Sequence, residues 1–299
     1  MGLVFAPPQR CHDLAVDLRP PPGADYLRDF TAATLGGWSW STPADADAVT
    51  IDLWKVKFID AMGLATIAAV AEDAVACGRS VRFVAPRRED VCRYMSRMHL
   101  GECLAEFCPD VRLPRVNEWD RGHRLLELHR FDASSGDDLA ERLFQALRAA
   151  GSSEQDAASI FKGVSEVVSN VAEHSGAAGG WAAMQVMPNN DGLITFAVAD
   201  AGDGFEYTLS RNHWVSGSVD AMMMAFERTV SGTGVPGRGT GLDDLHKRVG
   251  RHQGRLLAWS GDATGRSSGG TLECREANAA FPGTVIYAGL KPQPREVGT

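Results

Sequence analysis

The chain has 299 residues, of which 44% are hydrophobic, and this is enough for two domains of ordinary size. Its formal net charge of −8 excludes the basic footprint expected of a protein that binds nucleic acid or an anionic membrane surface. No apolar run is long enough to cross a bilayer and the first residues lack a secretory-signal pattern, so a cytoplasmic location is expected.

The segment from about residue 10 to 112 alternates predicted strands with predicted helices, which indicates an α/β layer structure. A strand at 49–53 leads to a helix that ends at Gly78. The inward-facing stripe of this helix is predicted to be Leu64, Ile67, Ala68, Ala71 and Val75. A strand at 80–85 and an amphipathic helix at 90–100 complete the segment.

Three residues of this segment, His99, Cys103 and Cys108, lie close enough in sequence to suggest a zinc site. Their spacing fits no standard zinc module, and none of the six cysteines forms a C-x-x-C pair. We therefore predict reduced thiols and no structural metal.

A polar connector occupies residues 113–123 and has the composition of a domain boundary. It separates a predicted α/β domain at 1–112 from a second domain at 124–292, and a short tail at 293–299 follows. No internal repeat or low-complexity tract appears in the chain.

The second domain has the pattern of helices packed on one face of a mixed sheet. Its predicted strands are 125–131, 181–187, 193–200, 255–260, 271–275 and 284–290. Its predicted helices are 137–149, 153–174, one near 218–230, and 242–251.

The helix at 153–174 separates into an apolar stripe and a polar face when its residues are placed at steps of about 100°. The polar face carries Glu166, Asn170 and His174, each four residues from the last. An asparagine amide oxygen can bind a hard cation, and a nearby carboxylate can deprotonate water or a hydroxyl group. A solvated surface would show the same pattern, so the helix alone leaves both interpretations open.

Asp200 ends an apolar strand and lies on the same face as the core side chains of that strand. A buried carboxylate is costly without a partner, and the exocyclic amine of a nucleobase is a suitable donor. Gly202 and Gly204 follow and allow the backbone to approach a flat ring closely. A carboxylate that turns into solvent before a tight turn would give the same sequence.

A glycine-rich loop runs into the last predicted helix at Leu242, and its residues are Gly237, Arg238, Gly239, Thr240 and Gly241. Unpaired N–H groups and the helix dipole at such a junction favour a phosphate. The loop lacks the Gly-Lys-Ser/Thr ending of a P-loop, and it does not follow a strand as a dinucleotide-binding loop does.

In this order and spacing the three motifs resemble the N, G1 and G2 boxes of the GHKL ATPase superfamily. The stretch E-V-V-S-N-V-A-E-H-S is most similar to the N box of anti-sigma-factor serine kinases. The resemblance covers residues 124–290 and implies the Bergerat α/β sandwich of that superfamily. It also implies that ATP and Mg²⁺ are the cofactors.

The same resemblance implies roles for single residues. Asn170 would bind Mg²⁺, and Glu166 would be the general base. Asp200 would contact adenine, with Thr284 assisting through water. The remaining residues implied to border the nucleotide are His174, Gly202, Gly204, Arg238, Gly239, Thr240, Gly241 and Leu242, and residues 205–236 would form the ATP lid.

The stretch F-I-D-A-M-G-L-A-T-I in the first domain resembles the central motif of STAS domains, the fold of anti-anti-sigma factors. In those factors a serine just before the glycine is phosphorylated by the partner kinase. Ala61 and Met62 precede Gly63 here and provide no hydroxyl group. The resemblance therefore implies a docking, sensing or dimerisation module that is not phosphorylated at this motif.

Together the two resemblances predict an intracellular regulator that is a GHKL ATPase or an anti-sigma-type serine/threonine protein kinase. The expected partner is a sigma factor, an anti-anti-sigma factor or another STAS-type protein, and self-association is a further expectation. Neither nucleic acid nor a membrane is expected as a partner. The alternatives are a catalytically weak switch whose partner affinity depends on ATP, and a histidine-kinase-like protein.

Overall fold

The computed structural model describes residues 15–19, 29–31, 39–42, 47–118, 125–132, 134–177, 179–187, 192–227 and 241–291. This part of the chain is a mixed α/β structure. Its strands are β1 (Ala15–Arg19), β2 (Asp29–Phe30), β3 (Ser39–Thr42), β4 (Ala48–Asp52), β5 (Phe58–Ile59), β6 (Ser80–Val84), β7 (Leu125–Phe131), β8 (Gly180–Met187), β9 (Leu193–Asp200), β10 (Arg255–Ser268) and β11 (Thr271–Leu290). Its helices are α1 (Ala61–Ala76), α2 (Glu89–Arg97), α3 (Leu100–Leu104), α4 (Gly136–Ala149), α5 (Glu154–His174), α6 (Gly204–Ser210), α7 (Ser218–Ala225) and α8 (Gly241–Arg251).

The first sheet has the strand order β3-β1-β4-β6. β4 is parallel to both β1 and β6, whereas β3 is antiparallel to β1. The parallel pair β4 and β6 is connected through α1, as the alternation of predicted strands and helices requires. No helix in the described part of the chain is both long and apolar enough to cross a membrane.

The second sheet has the strand order β10-β11-β9-β8-β7, and each neighbouring pair is antiparallel. The prediction of a mixed sheet for the second domain is therefore wrong. β10 and β11 form one long hairpin around Gly269 and Gly270, whose positive φ angles of 64° and 86° suit a tight two-residue turn. The two last predicted strands belong to one strand, because Pro282 and Gly283 fall at a register shift and do not end it.

Both faces of the second sheet are covered. The face that carries Ile194, Phe196 and Val198 packs on α4, α5 and α8. The opposite face, which carries Ala197 and Ala199, packs on α1. α1 also packs on the first sheet, so the layers follow the order first sheet, α1, second sheet, outer helices.

α1 is buried on nearly all sides because it lies between the two sheets. The Asp60 carboxylate accepts the N–H of Gly63 at 3.0 Å and caps the start of the helix. Gly78, at a φ of 74°, follows the end of the helix as predicted. Val75 was predicted to lie on a single inward stripe, but it is 41% exposed. The buried residues of α1 lie on several sides of the helix and do not form one stripe.

Polar contacts attach α1 and α2 to the second sheet. The Glu72 carboxylate accepts from Arg130 Nη2 and from Trp181 Nε1, each at 2.7 Å. The Tyr94 hydroxyl donates to Gln185 Oε1 at 2.8 Å. Since Trp181 is 2% exposed, its indole N–H depends on Glu72 for a hydrogen-bond acceptor.

Replacing Glu72 with alanine is expected to lower the free energy of unfolding by about 1–3 kcal/mol, because a buried indole N–H loses its acceptor. Chemical denaturation measures this change. The matched control is Glu89→Ala, which breaks an exposed ion pair with Arg93 and should cost at most about 1 kcal/mol. Equal losses in the two variants would contradict the structural role given to Glu72.

The helix predicted at 90–100 is divided into α2 and α3 by His99, whose φ of 60° breaks the helical path. Its inward residues Val91 and Met98 are buried as predicted. Cys103 donates to the Leu128 carbonyl oxygen, and no group of three or more potential metal-ligating His, Cys, Asp or Glu side chains occurs among the described residues.

Candidate functional site

α5 carries the first of the three motifs, and its two sides differ in burial as the sequence predicts. Its buried hydrophobic residues are Ala157, Ile160, Val164, Val167, Val168 and Val171. Glu166 and Asn170 are half-buried and lie one turn apart on another side of the helix. His174 is the last residue of α5, and its side chain lies outside the described part of the structure.

α8 covers part of the polar side of α5. A Cβ atom at Gly163 would lie 3.0 Å from Leu245 Cβ, which shows how closely the two helices approach. A Cβ atom at Gly241 would overlap Glu166 Cβ and would lie 2.7 Å from Glu166 Cγ. The first residue of α8 therefore lies directly on Glu166, so the end of the glycine-rich loop adjoins the predicted general base.

The C-terminal end of α5 meets the second motif. The N–H of Asp203 donates to the Ser175 carbonyl oxygen at 2.6 Å. A Cβ atom at Gly202 would overlap that same oxygen, so only glycine fits this approach. One end of α5 is thus joined to the turn after β9, and its middle is joined to α8. The described parts of the first two motifs and the start of α8 therefore meet along this helix.

Asp200 is 2% exposed, and burial raises the pKa of its carboxyl from 3.8 to about 7. The backbone N–H groups of Gly202 and Thr284 favour the ionised form, and Gly202 N lies 2.8 Å from Asp200 Oδ1. The carboxylate of Asp203 raises the pKa further. Near neutral pH the carboxyl group is therefore divided between its two forms, and a donor from a ligand would favour the ionised one.

Three polar side chains form a row across neighbouring strands beside this carboxyl group. Thr284 of β11 is paired with Asp200 of β9 on one side and with Ser260 of β10 on the other. Directly opposite residues in antiparallel strands project from the same face of a sheet. We call Asp200, Thr284 and Ser260 the polar row. It lies at the end of the apolar face that packs on α5.

Two glycines with positive φ allow the backbone to close around the polar row. Gly204 has a φ of 70°, and a Cβ atom there would lie 2.9 Å from Ser260 Oγ. Gly283 has a φ of 106°, and a Cβ atom there would overlap the Asp200 carbonyl oxygen and lie 2.7 Å from Gly202 N. A side chain at Gly204 would have to displace Ser260, and one at Gly283 would have to displace the backbone at Asp200 and Gly202.

The segment predicted as an ATP lid, 205–236, is described as far as residue 227. It contains α7 and nearly all of α6, and both helices pack on the β10–β11 hairpin. Met222 is fully buried, and its Cγ would lie 3.3 Å from a Cβ atom at Gly265. Met223 is 46% exposed. The described part of this segment is therefore packed on the hairpin, with Met222 in the contact.

The first turn of α8 contains two carboxylates, which would repel an anion at this helix end unless they were neutralised. Asp243 is 6% exposed, and its Oδ2 lies 2.6 Å from Lys247 Nζ. Asp244 Oδ2 lies 3.9 Å from Lys162 Nζ. Each carboxylate lies near a lysine, which weakens its repulsion of an anion at this helix end.

Among the described residues predicted for the site, Gly241 lies against Glu166, and Gly202 lies beside Asp200. Gly241 and Leu242 begin α8, whereas Arg238, Gly239 and Thr240 lie outside the described residues.

Ser260 is a member of the polar row that the sequence analysis missed. A signal for it exists, because Leu256, Ala258 and Ser260 alternate on the face of β10 that packs on the outer helices. Ser260 therefore ends an apolar row in the same way as Asp200 does. The chain matches no protein-family model and no curated protein sequence.

Replacing Gly241 with alanine is expected to destabilise the protein by about 1–3 kcal/mol, because the added Cβ must displace α8 from Glu166. The matched control is Gly101→Ala in α3, where the added Cβ would make an ordinary contact of 3.4 Å with Leu113. Thermal unfolding of the two variants measures the difference. Equal melting temperatures would show that the close contact between α5 and α8 does not exist in solution.

Proposed function

We propose that the chain is an ATP- and Mg²⁺-binding regulator of the GHKL type, with a STAS-like N-terminal module. The observation that supports this most is the contact between Gly241 and Glu166. It places the N-terminus of a helix, which favours an anion, beside a carboxylate that can act as a base. A phosphoryl group held there would have a proton acceptor within reach.

The polar row supports the base-binding part of the proposal. A buried carboxyl with a raised pKa is a costly arrangement unless a ligand supplies a donor. The exocyclic amine of adenine is such a donor. We assign the contact to Asp200, with Thr284 assisting through water. Gly202 and Gly204 instead hold the turn beside this carboxyl group, because Ser175 and Ser260 fill the space that side chains at these two positions would need.

At the phosphate end, Asn170 is proposed to bind Mg²⁺ through its amide oxygen. The backbone N–H groups at Gly241 and in the loop that includes Arg238, Gly239 and Thr240 would hold the phosphates. Glu166 would accept the proton of water or of a partner's hydroxyl group while that oxygen attacks the γ-phosphorus and ADP leaves. Water as the nucleophile makes the protein an ATPase, and a serine or threonine hydroxyl makes it a protein kinase.

The first module is proposed to serve a regulatory role and not to be the phosphate acceptor. Ala61 and Met62 stand where the anti-anti-sigma factors carry their serine region, and both are fully buried at the start of α1. Because both residues are fully buried, a second protein could reach this motif only after a local rearrangement of the domain. The acceptor is therefore sought in a separate protein, such as a STAS-type partner with a serine at that position.

The proposal is tested by titrating the protein with ATP in the presence and absence of Mg²⁺, followed by incubation with γ-labelled ATP and a STAS-type partner. Acid-stable label on a serine or threonine of the partner indicates a kinase, and inorganic phosphate alone indicates an ATPase. Binding without either product indicates an ATP-dependent switch, and acid-labile label on the chain indicates a histidine-kinase-like activity. Absence of ATP binding would refute the proposal.

A further inference from the structure

The hydroxyl group of Ser260 has more contacts than it has protons. Ser260 is 3% exposed, and its Oγ lies 2.9 Å from Phe205 N, 2.9 Å from the Gly283 carbonyl oxygen and 3.3 Å from Thr284 Oγ1. A serine hydroxyl group donates one proton and accepts with two lone pairs. All three contacts can be satisfied in only one way.

The direction of each hydrogen bond follows from what the partners can do. The Gly283 carbonyl oxygen can only accept, so it takes the proton of Ser260. Phe205 N–H can only donate, so it donates to Ser260 Oγ. The remaining lone pair of Ser260 is then an acceptor, and the contact with Thr284 requires the threonine proton.

The hydroxyl proton of Thr284 is therefore directed across the sheet, from β11 towards Ser260 of β10 and away from Asp200 of β9. What Thr284 offers on the side of Asp200 is an oxygen that accepts. Asp200 in its ionised form also only accepts. When Asp200 is ionised, the polar row thus presents two neighbouring acceptors and no side-chain donor to a ligand at this position.

We infer that Ser260 is a specificity-determining residue of the nucleotide site, which orients the Thr284 hydroxyl so that the site selects a base with an amino group. This inference rests on the proposed function. Adenine carries an amino group at the position where hypoxanthine carries an oxo oxygen, so the two bases differ in the feature that the polar row distinguishes. Ser260 acts through Thr284 and need not contact the base itself.

The inference predicts a change in the preference between two ligands and not only a loss of affinity. In Ser260→Ala the Thr284 hydroxyl group is released and can turn its proton to an oxo oxygen or to the water beside it. The ratio of the ADP affinity to the IDP affinity is expected to fall by roughly three- to tenfold, the contribution of one neutral hydrogen bond. The Phe205 N–H also loses its acceptor, which lowers both affinities equally and leaves the ratio unchanged.

Isothermal titration of the full chain with MgADP and MgIDP measures both affinities for the wild type, Ser260→Ala, Thr284→Val and the double variant. We expect the wild type to prefer ADP, each single variant to reduce that preference, and Ser260→Ala to have no further effect on it when Thr284 is already valine. Retention of the melting transition in each variant shows that the comparison is made on folded protein.

Two outcomes would overturn the inference in distinguishable ways. If the wild type binds ADP and Ser260→Ala lowers both affinities by the same factor, Ser260 only holds the turn at Phe205, and the proposed function survives without the inference. Ser260→Ala could also reduce the preference for ADP over IDP as much in the Thr284→Val background as it does in the wild type. That result would show that Ser260 does not act through Thr284. If the wild type binds neither nucleotide, the proposed function itself fails.

Discussion

Glu166→Gln is expected to bind ATP with nearly unchanged affinity and to lose turnover by about 10²- to 10⁴-fold, the usual contribution of a general base. Glutamine preserves the volume of the side chain beside Gly241, so the contact between α5 and α8 is kept. The substitution removes the negative charge and the ability to accept a proton. ATP titration and a single-turnover assay for phosphate release or transfer separate binding from chemistry.

The matched control for this experiment is Glu154→Gln, an exposed carboxylate in the first turn of the same helix. It changes the charge of the protein by the same amount, far along α5 from Gly241. Turnover of Glu166→Gln equal to that of this control would remove Glu166 from the mechanism. The site would then be better described as an ATP-dependent switch.

Asp200→Asn is expected to have two opposite effects, weaker nucleotide binding and higher stability without nucleotide. A hydrogen bond from the base to a charged acceptor contributes about 1.5–3 kcal/mol, so the affinity for ATP should fall roughly 10- to 150-fold. The affinity of the wild type should rise with pH through about 7, because only the ionised carboxyl accepts from the base without first losing a proton. That pH dependence should disappear in the variant.

The gain in stability follows from the raised pKa of Asp200. Its contribution to stability is fully present below a pH of about 3.8, where the carboxyl is protonated in both states, and is lost as the pH rises through about 7. A rise in pKa from 3.8 to about 7 corresponds to on the order of 4 kcal/mol. The gain in Asp200→Asn is expected to be smaller than this, because a buried amide group also needs hydrogen-bond partners.

Denaturant unfolding of the wild type and of Asp200→Asn between pH 5 and 8 measures this effect. The stability difference should grow up to a pH of about 7 and then remain constant. The control is Asp262→Asn, which replaces an exposed carboxylate of β10 near the polar row. A difference that is independent of pH, or equal in the two variants, would show that Asp200 is not buried as the structure describes.

Elements with a regular apolar period were predicted well from the sequence, because their periodicity reports one buried face. β7, α4 and α5 have bounds within one residue of the prediction. The buried and polar sides of α5 were also predicted, since one apolar stripe of this helix is buried in the core. The position of Asp200 at the end of the apolar face of β9 was also predicted from the alternation of residues along that strand.

Elements with unusual surroundings were predicted poorly. α1 has two sheets around it, so its apolar residues do not define a single stripe, and Val75 was misplaced. The β10–β11 hairpin carries Pro282 and Gly283 inside a strand, and local rules treat such residues as strand ends. The break between α2 and α3 depends on a left-handed backbone at His99, a conformation that glycine or asparagine would have signalled but histidine does not.

The sequence by itself determined which chemical groups are present and in which order they occur. Glu166 and Asn170 at helical spacing, Asp200 at a strand end, and a glycine-rich loop before Leu242 can all be read from residue types and local periods. Only the tertiary structure decided that Gly241 lies on Glu166, that Asp200, Thr284 and Ser260 form one row, and that α1 occupies the far face of the sheet. The reason is that local periodicity specifies the face of an element, whereas pairing register and helix packing between distant segments decide which faces meet.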